Sequence, residues 1–599
     1  SNLYTIQLRL SKHMNRRTLI LLYFLVCFMN NLVTAQSWEW LKNAGGQKSD
    51  KGSTIVTDHE GNIFITGYYN EEANFDTLNT GFSYVQSKEV FVAKMNPQGD
   101  FLWVKNGLNY YDDRGLGLCV DPQGNVYVTG TCWGGLVWGS LSVYNPSSYT
   151  DQLFLTKLDT DGNEIWMKNA GTEAGSGWYN DDHGQDLTCD SEGNILVTGF
   201  LSNNSDYPDF AFFDTIQVPM AAEDSVAFVA KLSNDGVWQW VEKFEGIEGY
   251  RDNGIAVDDE DNVYVAGGFR GTKQIGTTTL TSLYNSIDIY VAKWDKNGVF
   301  QFVEHVADSL DARADQICFG NDGHMYVTGE FRAEVLFGTD DLNNYGSPGD
   351  KDIFVSKMNK NGDWIWATKA GSKSGGDRGI DICANDEGNI FVGGQFRGNA
   401  KFGDLEVESG LDSTQLFVAL IDSTGVWRWV LTGGGPLNDR AAGVAVDNEC
   451  NLYTTGFFKS FISLDSLNTN SSGIDDNDIF IAKIADPCRG FDTPPTDNPS
   501  TNNPEEEFYN FEEVNVFTPN NDGFNDVLLF CENCNVNGNL VILNRWGNIV
   551  YSSNDLSKGW NGKVQNGSFA VTGTYFYEAT IERIDGTQVL KNGFIELRR

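Results

Sequence analysis

The sequence predicts an all-β protein: a seven-bladed β-propeller closed by its own N-terminal strand, followed by a small Ig-like β-sandwich. Three observations lead there. The segment IVTDHEGNIFITG at residues 55–67 returns in six further variants along the chain. The last repeat lacks its aromatic strand, and a strand of that type stands alone near the N-terminus. Beyond a proline-rich stretch, alternating apolar strands resume over fewer than 90 residues, which suits one small sandwich.

The chain has 599 residues, with 82 acids against 42 bases, a formal charge of -40 and 40% apolar residues. Such length calls for several domains or a repeat array. With no run of Lys and Arg, neither nucleic acid nor an anionic membrane surface is an expected partner, because both need clustered cations.

Residues 1–35 read as an export signal. Met14, a candidate initiator behind an upstream extension, precedes Arg16 and Arg17, an apolar run at 19–29 and the small-residue site Val33-Thr34-Ala35. Cleavage is expected after Ala35. The apolar run is too short to span a bilayer, and no transmembrane segment is expected after it.

The repeat fills residues 36–488. Its copies close on Gly67, Gly130, Gly199, Gly267, Gly329, Gly394 and Gly456, spaced 62 to 69 residues apart. Each unit reads as an inner apolar strand, an NVYVTG-type strand, an IFVAKL-type strand and a W-x-W strand, the content of a propeller blade. Unit seven runs through Asp478-Ile479-Phe480-Ile481-Ala482-Lys483 and reaches Cys488 without W-x-W, whereas Trp38-Glu39-Trp40 opens the region. That N-terminal strand is expected to complete blade seven and pair an otherwise open edge.

The order D-x-x-G-N-[VI]-Y-V-T-G, F-V-A-K-[LM], W-x-W, close at residues 121–130 and 353–366, resembles the bacterial SBBP-type β-propeller repeat. Asp261 and Cys450 replace the turn glycine, Gly320 the turn aspartate, and Phe300 with Phe302 the tryptophan pair. The resemblance implies a fold and an exported origin but no single reaction.

Residues 489–513, with Pro494, Pro495, Pro499, Pro504 and Glu505-Glu506-Glu507, read as an extended spacer. Residues 514–599 form the second domain. Its motifs TPNNDGFND (518–526), NRWG (544–547), WNG (560–562), GTYFY (573–577) and GFIELR (593–598) resemble, in order, the gliding-motility-associated C-terminal domain, the type B sorting domain of type IX secretion. That resemblance implies Bacteroidota-type export, the type IX machinery as a partner, and a place on the outer-membrane surface or outside the cell.

No catalytic residue stands out. His59, His183, His305 and His324 form no H-E-x-x-H motif, and no G-x-S-x-G elbow is present. Carboxylate hydrolysis stays open, without two acids that spacing singles out. Cys119, Cys318 and Cys383 share an inner-strand slot that elsewhere holds Val56, Thr188, Ala256 and Ala445, so they are expected as small buried apolar groups and not as a disulfide framework. Cys531 and Cys534 make a lone C-x-x-C, a local disulfide or two thiols. No cofactor is expected; Asp522, Asn525 and Asp526 could hold calcium, although the loop fails EF-hand spacing and also reads as an ordinary turn.

Two features could build a binding site. Asp followed by a mostly basic residue precedes each inner strand: Asp50-Lys51, Asp113-Arg114, Asp182-His183, Asp252-Asn253, Asp377-Arg378 and Asp439-Arg440, with Ala312-Arg313 the exception. These pairs either cap turns and bridge blades or face the channel mouth. Aromatic residues break the symmetry: Tyr110, Tyr111, Trp178, Tyr179 and Tyr250 precede units two to four only. Together with Asp113, Asp182 and Asp252 they form the candidate ligand-binding set, suited to stacking and hydrogen bonding of a glycan or a surface protein. The expected function is a surface binding or adhesion module. Its alternative is a propeller-type polysaccharide hydrolase or lyase using carboxylates at the channel mouth.

Overall fold

The computed structural model describes residues 36–81, 87–144, 150–172, 180–204, 209–222, 224–245, 253–409, 413–473, 476–485 and 487–488, then 516–517, 538–544, 548–554, 560–565, 568–582 and 588–597. The chain divides into two compact units between Thr493 and Pro494. Apart from one 3-10 turn at Leu283–Asn285, the described regular structure is β-strand. The export signal, the spacer, Cys531, Cys534 and the candidate calcium residues Asp522, Asn525 and Asp526 lie outside the described residues.

The first unit repeats one antiparallel sheet. Lys51–Thr57, Ile63–Asn70, Lys88–Met95 and Phe101–Leu108 pair in chain order; among the described residues five further sheets contain the same run of four strands, and a sixth takes its fourth strand from the N-terminus. The second and third strands are mostly apolar because neighbouring sheets bury both their faces; Ile63, Phe64, Ile65, Val90, Phe91 and Val92 are all inaccessible. This is β-propeller architecture.

The repeat motif is legible in its contacts. In the D-x-x-G-N turn, Asp121 accepts the Asn125 backbone N–H at 2.8 Å and its side-chain N–H at 2.8 Å, while Tyr127 donates its hydroxyl to the same carboxylate at 2.9 Å. Lys157 of the third strand then lies 5.1 Å from the Tyr127 ring centre. Asp, Asn, Tyr and Lys, scattered in sequence, thus meet at one polar end of this sheet.

The second aromatic of each W-x-W strand packs on the next sheet. A Cβ placed on Gly162 would meet Trp103 at 3.0 Å, on Gly236 Trp166 at 3.2 Å, on Gly298 Trp240 at 2.8 Å, on Gly362 Phe302 at 3.1 Å and on Gly425 Trp366 at 3.0 Å. Glycine is required there because an aromatic face occupies the space of a side chain. The series continues with Trp429, whose indole N–H donates to the Pro487 carbonyl at 2.9 Å, and with Trp40, which lies 3.1 Å from the Cβ position of Gly99 in the first sheet. Ser37–Ala44 itself pairs antiparallel with Asn477–Ala485, from Ser37 opposite Ala485 to Ala44 opposite Ile479.

Two findings go beyond the sequence reading. The variable stretch after each second strand contains a β-hairpin, and three of these add to the preceding sheet's outer strand, as at Val137–Leu108, Gly171–Phe212 and Ala370–Phe402. The outer edge, otherwise a row of unpaired amides, is thereby covered. The second finding corrects the cysteine reading. Cys119 is bonded to Cys189, tying two inner strands with their Cα atoms 6.4 Å apart, and Cys450 is bonded to Cys488 after the last strand. The slot that accepts Ala or Thr in other units also places Cys119 within disulfide reach of the adjacent sheet; Cys318 and Cys383 remain thiols.

The second unit holds a five-stranded sheet in which Val516–Phe517 runs parallel to Gln588–Leu597, followed in order by Gly573–Glu582, Gly538–Asn544 and Ile549–Ser553. Trp560 of the W-N-G motif is fully buried, edge-on to Tyr575 at 5.0 Å, and donates to the Lys563 carbonyl at 2.8 Å. Among the described residues no helix is long and apolar enough to cross a membrane.

Candidate functional site

The loops that lead from one sheet to the next inner strand end on the aspartates singled out in the sequence, and the structure turns these aspartates inward. Asp113 and Asp182 are fully buried. Asp113 accepts the Trp133 N–H at 3.1 Å, and Asp182 accepts Ser202 N–H at 2.8 Å and Thr172 N–H at 2.6 Å. Asp50 does the same with Asn70 and Gly46, and Asp377 with Arg397 and Ser372. Each carboxylate clamps its loop to the strand 20 residues on. In the unit with Ala312 the role passes to Asp308, which accepts the Arg332 N–H at 3.4 Å. Burial outweighs these bonds and raises Asp50 to about 8 and Asp182 to about 7; burial and then Glu89 push Asp113 well above the usual carboxylate range.

Strand side chains alternate, so the residue after each buried aspartate faces the other way. Those residues are basic. Lys51, Arg114, His183 and Arg440 line a cavity of about 490 Å³ with Tyr68, Lys88, Thr131, Asp151, Asp181, Gln185 and Phe457. Lys51 sits 4.0 Å from the Phe457 ring centre, and Lys88 and Arg114 sit 5.7 and 5.8 Å from that of Tyr68. Asp112 bonds both Lys88 and Arg114 from the side. Burial, and next the neighbouring Asp181, raise Asp151 to about 7.

The ring of cations is not symmetric. On the opposite side Arg378 is held by Asp315 through two bonds of 2.6 Å, and Arg313 faces Glu330 at 3.5 Å. The inner strands are laced below the cavity: Asp186 accepts the Ile255 N–H at 3.1 Å and the Gln316 side-chain N–H at 3.0 Å, and Asp381 accepts the Val444 N–H at 2.7 Å.

Of the aromatic candidates, Tyr110 and Tyr111 are exposed, at 67% and 42%. Tyr111 stacks on Trp133 at 5.3 Å, and Trp133 pairs through its backbone with Asp151 of the cavity lining. Trp178, Tyr179, Tyr250 and Asp252 lie outside the described residues. The sequence reading therefore named the acid of each pair, whereas the cavity is lined by the base that follows it. Strand alternation was the signal available for that choice.

Comparison with known proteins decides the second unit. Residues 511–597 match the CHU_C type IX secretion signal domain. A chain with this type IX signal is exported to the cell surface or the extracellular space, so this is a secreted or cell-surface β-propeller protein. The type IX signal accounts for only the C-terminal part. The chain is 24% identical over 302 residues to an uncharacterized WD repeat-containing protein of Acanthamoeba polyphaga mimivirus, covering 43% of this chain and 21% of that protein. The regulatory protein FlaEY of Caulobacter vibrioides is 26% identical over 157 residues, or 26% of this chain and 16% of that one. The chain thus spans about a fifth or less of these curated relatives. Among solved structures, Sqt1 from Chaetomium thermophilum aligns with TM-score 0.34 and 8% identity over 73% of this chain and 88% of its own. PorZ, a type IX surface component of Porphyromonas gingivalis, aligns with TM-score 0.15 and 9% identity over 93% and 100%.

Proposed function

We propose that this chain is a surface-displayed binding and adhesion module: a closed seven-bladed propeller of the SBBP type, carried out by an Ig-like sorting domain, whose ligand seats at the channel mouth. The observation that carries the reading is the cavity of about 490 Å³ lined by residues of five inner strands and flanked by the exposed Tyr111. Its size and mixed polar and aromatic lining suit a small part of a larger ligand. Ring closure is supported by the cyclic run of outer-strand aromatics, in which Trp40 occupies the same place on Gly99 as Trp103 does on Gly162. The test is an array of glycans and surface proteins probed with the purified full chain. Retention of a defined ligand, weakened when Tyr111 is replaced by Ala, supports the reading; an array without any retained ligand refutes it.

A second reading draws on one observation. Asp151 and Asp181 bridge through their backbones in the cavity lining, and a carboxylate raised to about 7 beside a second acid is equipped to move a proton. On this reading the chain is a polysaccharide hydrolase or lyase. Product release from the retained ligand, abolished in Asp151→Asn, would support it over binding alone.

A further inference from the structure

We infer that the channel mouth is a site for an acidic saccharide, whose carboxylate is held by Arg114 with Lys51 and Arg440 and whose hydroxyls are held by Asp151 and Asp181. This rests on the binding-module reading and gives its ligand a chemical class.

The chain carries a formal charge of -40, yet Lys51, Lys88, Arg114, His183 and Arg440 converge on one cavity against two lining acids, Asp151 and Asp181. Asp112 pairs with Lys88 and Arg114 beside the cavity, as Asp315 and Glu330 pair with Arg378 and Arg313. A cavity lined by several cations concentrates anions there, even in an acidic protein.

Unsatisfied polar atoms point the same way. The buried Nε of Arg114, Oγ1 of Thr131 and Oε1 of Gln185 have no hydrogen-bond partner, and all three residues line this cavity. Thr131 is only 8% exposed. Buried polar atoms are normally paired, so two donors and an acceptor left open around one cavity describe a ligand with both acceptors and donors. A guanidinium suits a planar carboxylate. The acids Asp151 and Asp181 would repel a multiply charged phosphate but accept bonds from sugar hydroxyls. The rings of Tyr68 and Phe457, each beneath a cation, supply apolar faces at the edge of the same space.

The experiment is calorimetric titration of the full chain with hexagalacturonate, its methyl ester, and a sulfated oligosaccharide of the same length. Hexagalacturonate should bind, the methyl ester at least tenfold more weakly, and Arg114→Gln and Lys51→Gln should each lose about tenfold or more in affinity, as expected for one charge-assisted contact. Lys401→Gln, an exposed cation on a hairpin, should bind as wild type. Melting curves establish that the variants are folded, and the two substitutions fail independently. Equal affinity for the methyl ester, unchanged affinity in both variants, or no binding of hexagalacturonate overturns the inference; binding of the sulfated sugar alone overturns the carboxylate assignment. If the array returns a neutral glycan or a protein whose affinity Arg114→Gln leaves intact, the acidic-saccharide inference falls while the binding module stands.

Discussion

Trp38 and Trp238 offer a paired test of how the N-terminal strand is held. Both are the first tryptophan of an outer strand, both are 6% exposed, and the indole N–H of each has no hydrogen-bond partner. They differ in connectivity: Trp238 belongs to a sheet continuous in sequence, whereas Trp38 reaches its sheet across more than 400 residues of chain, pairing with Ile484. Replacing either by Ala removes packing alone, at a cost of about 3 to 5 kcal/mol for a buried tryptophan. An unfolding entropy near 2.1 cal/mol/K per residue, over roughly 450 residues, makes about 1 kcal/mol correspond to 1 °C. Scanning calorimetry should therefore show both Trp38→Ala and Trp238→Ala melting about 3 to 5 °C below wild type. If Trp238→Ala falls by that amount and Trp38→Ala stays within a degree of wild type, the N-terminal strand is not an integral part of the last sheet.

Three further outcomes are expected. Burial first, offset by amide bonds at several sites, places Asp50 at about 8 and Asp151, Asp182, Asp352, Asp381 and Asp439 at about 7. Because these folded values lie above that of an unfolded carboxylate, the folded state binds more protons between about pH 4 and 8. Stability is therefore greatest at the acidic end of that window and falls as pH rises through 7 to 8; a melting temperature higher at pH 8.5 than at pH 5.5 would contradict the burial of these groups. Reduction of Cys119–Cys189, or the paired change to Ala, should cost about 2 to 4 kcal/mol, read as a lower denaturation midpoint, with no loss in a Cys318→Ala control. Deleting residues 511–599 should leave a folded propeller that cell-surface immunolabelling of the native host no longer detects; undiminished labelling would refute the assigned role of the C-terminal domain.

Much of the fold was legible because a repeat reports the same physics seven times. Asp121, Asn125, Tyr127 and Lys157 recur as letters because they meet as a cluster, and Trp38 with Trp40 was recognisable as the strand that the last unit lacks. The hairpins were not legible, since their sequences vary and only their pairing to a preceding outer strand gives them a common role. The Cys119–Cys189 bond was hidden for a related reason: Cys119 aligns with Thr188, and its partner lies one position further along a neighbouring strand. The candidate site was half legible. Asp113 and Asp182 were conspicuous by repetition, which marks structure, while Lys51, Arg114 and Arg440 line the cavity because strand alternation turns them away from those buried acids.

Hydrogen exchange on the full chain, free and saturated with the ligand that the array returns, tests the placement of the binding face most directly. Added protection is expected at residues 51–53, 114–116, 131 and 183–185 around the channel mouth, with the D-x-x-G turns at 58–62, 121–125 and 190–194 unchanged. Protection confined to those turns, with the cavity residues exchanging as in the free protein, would contradict it.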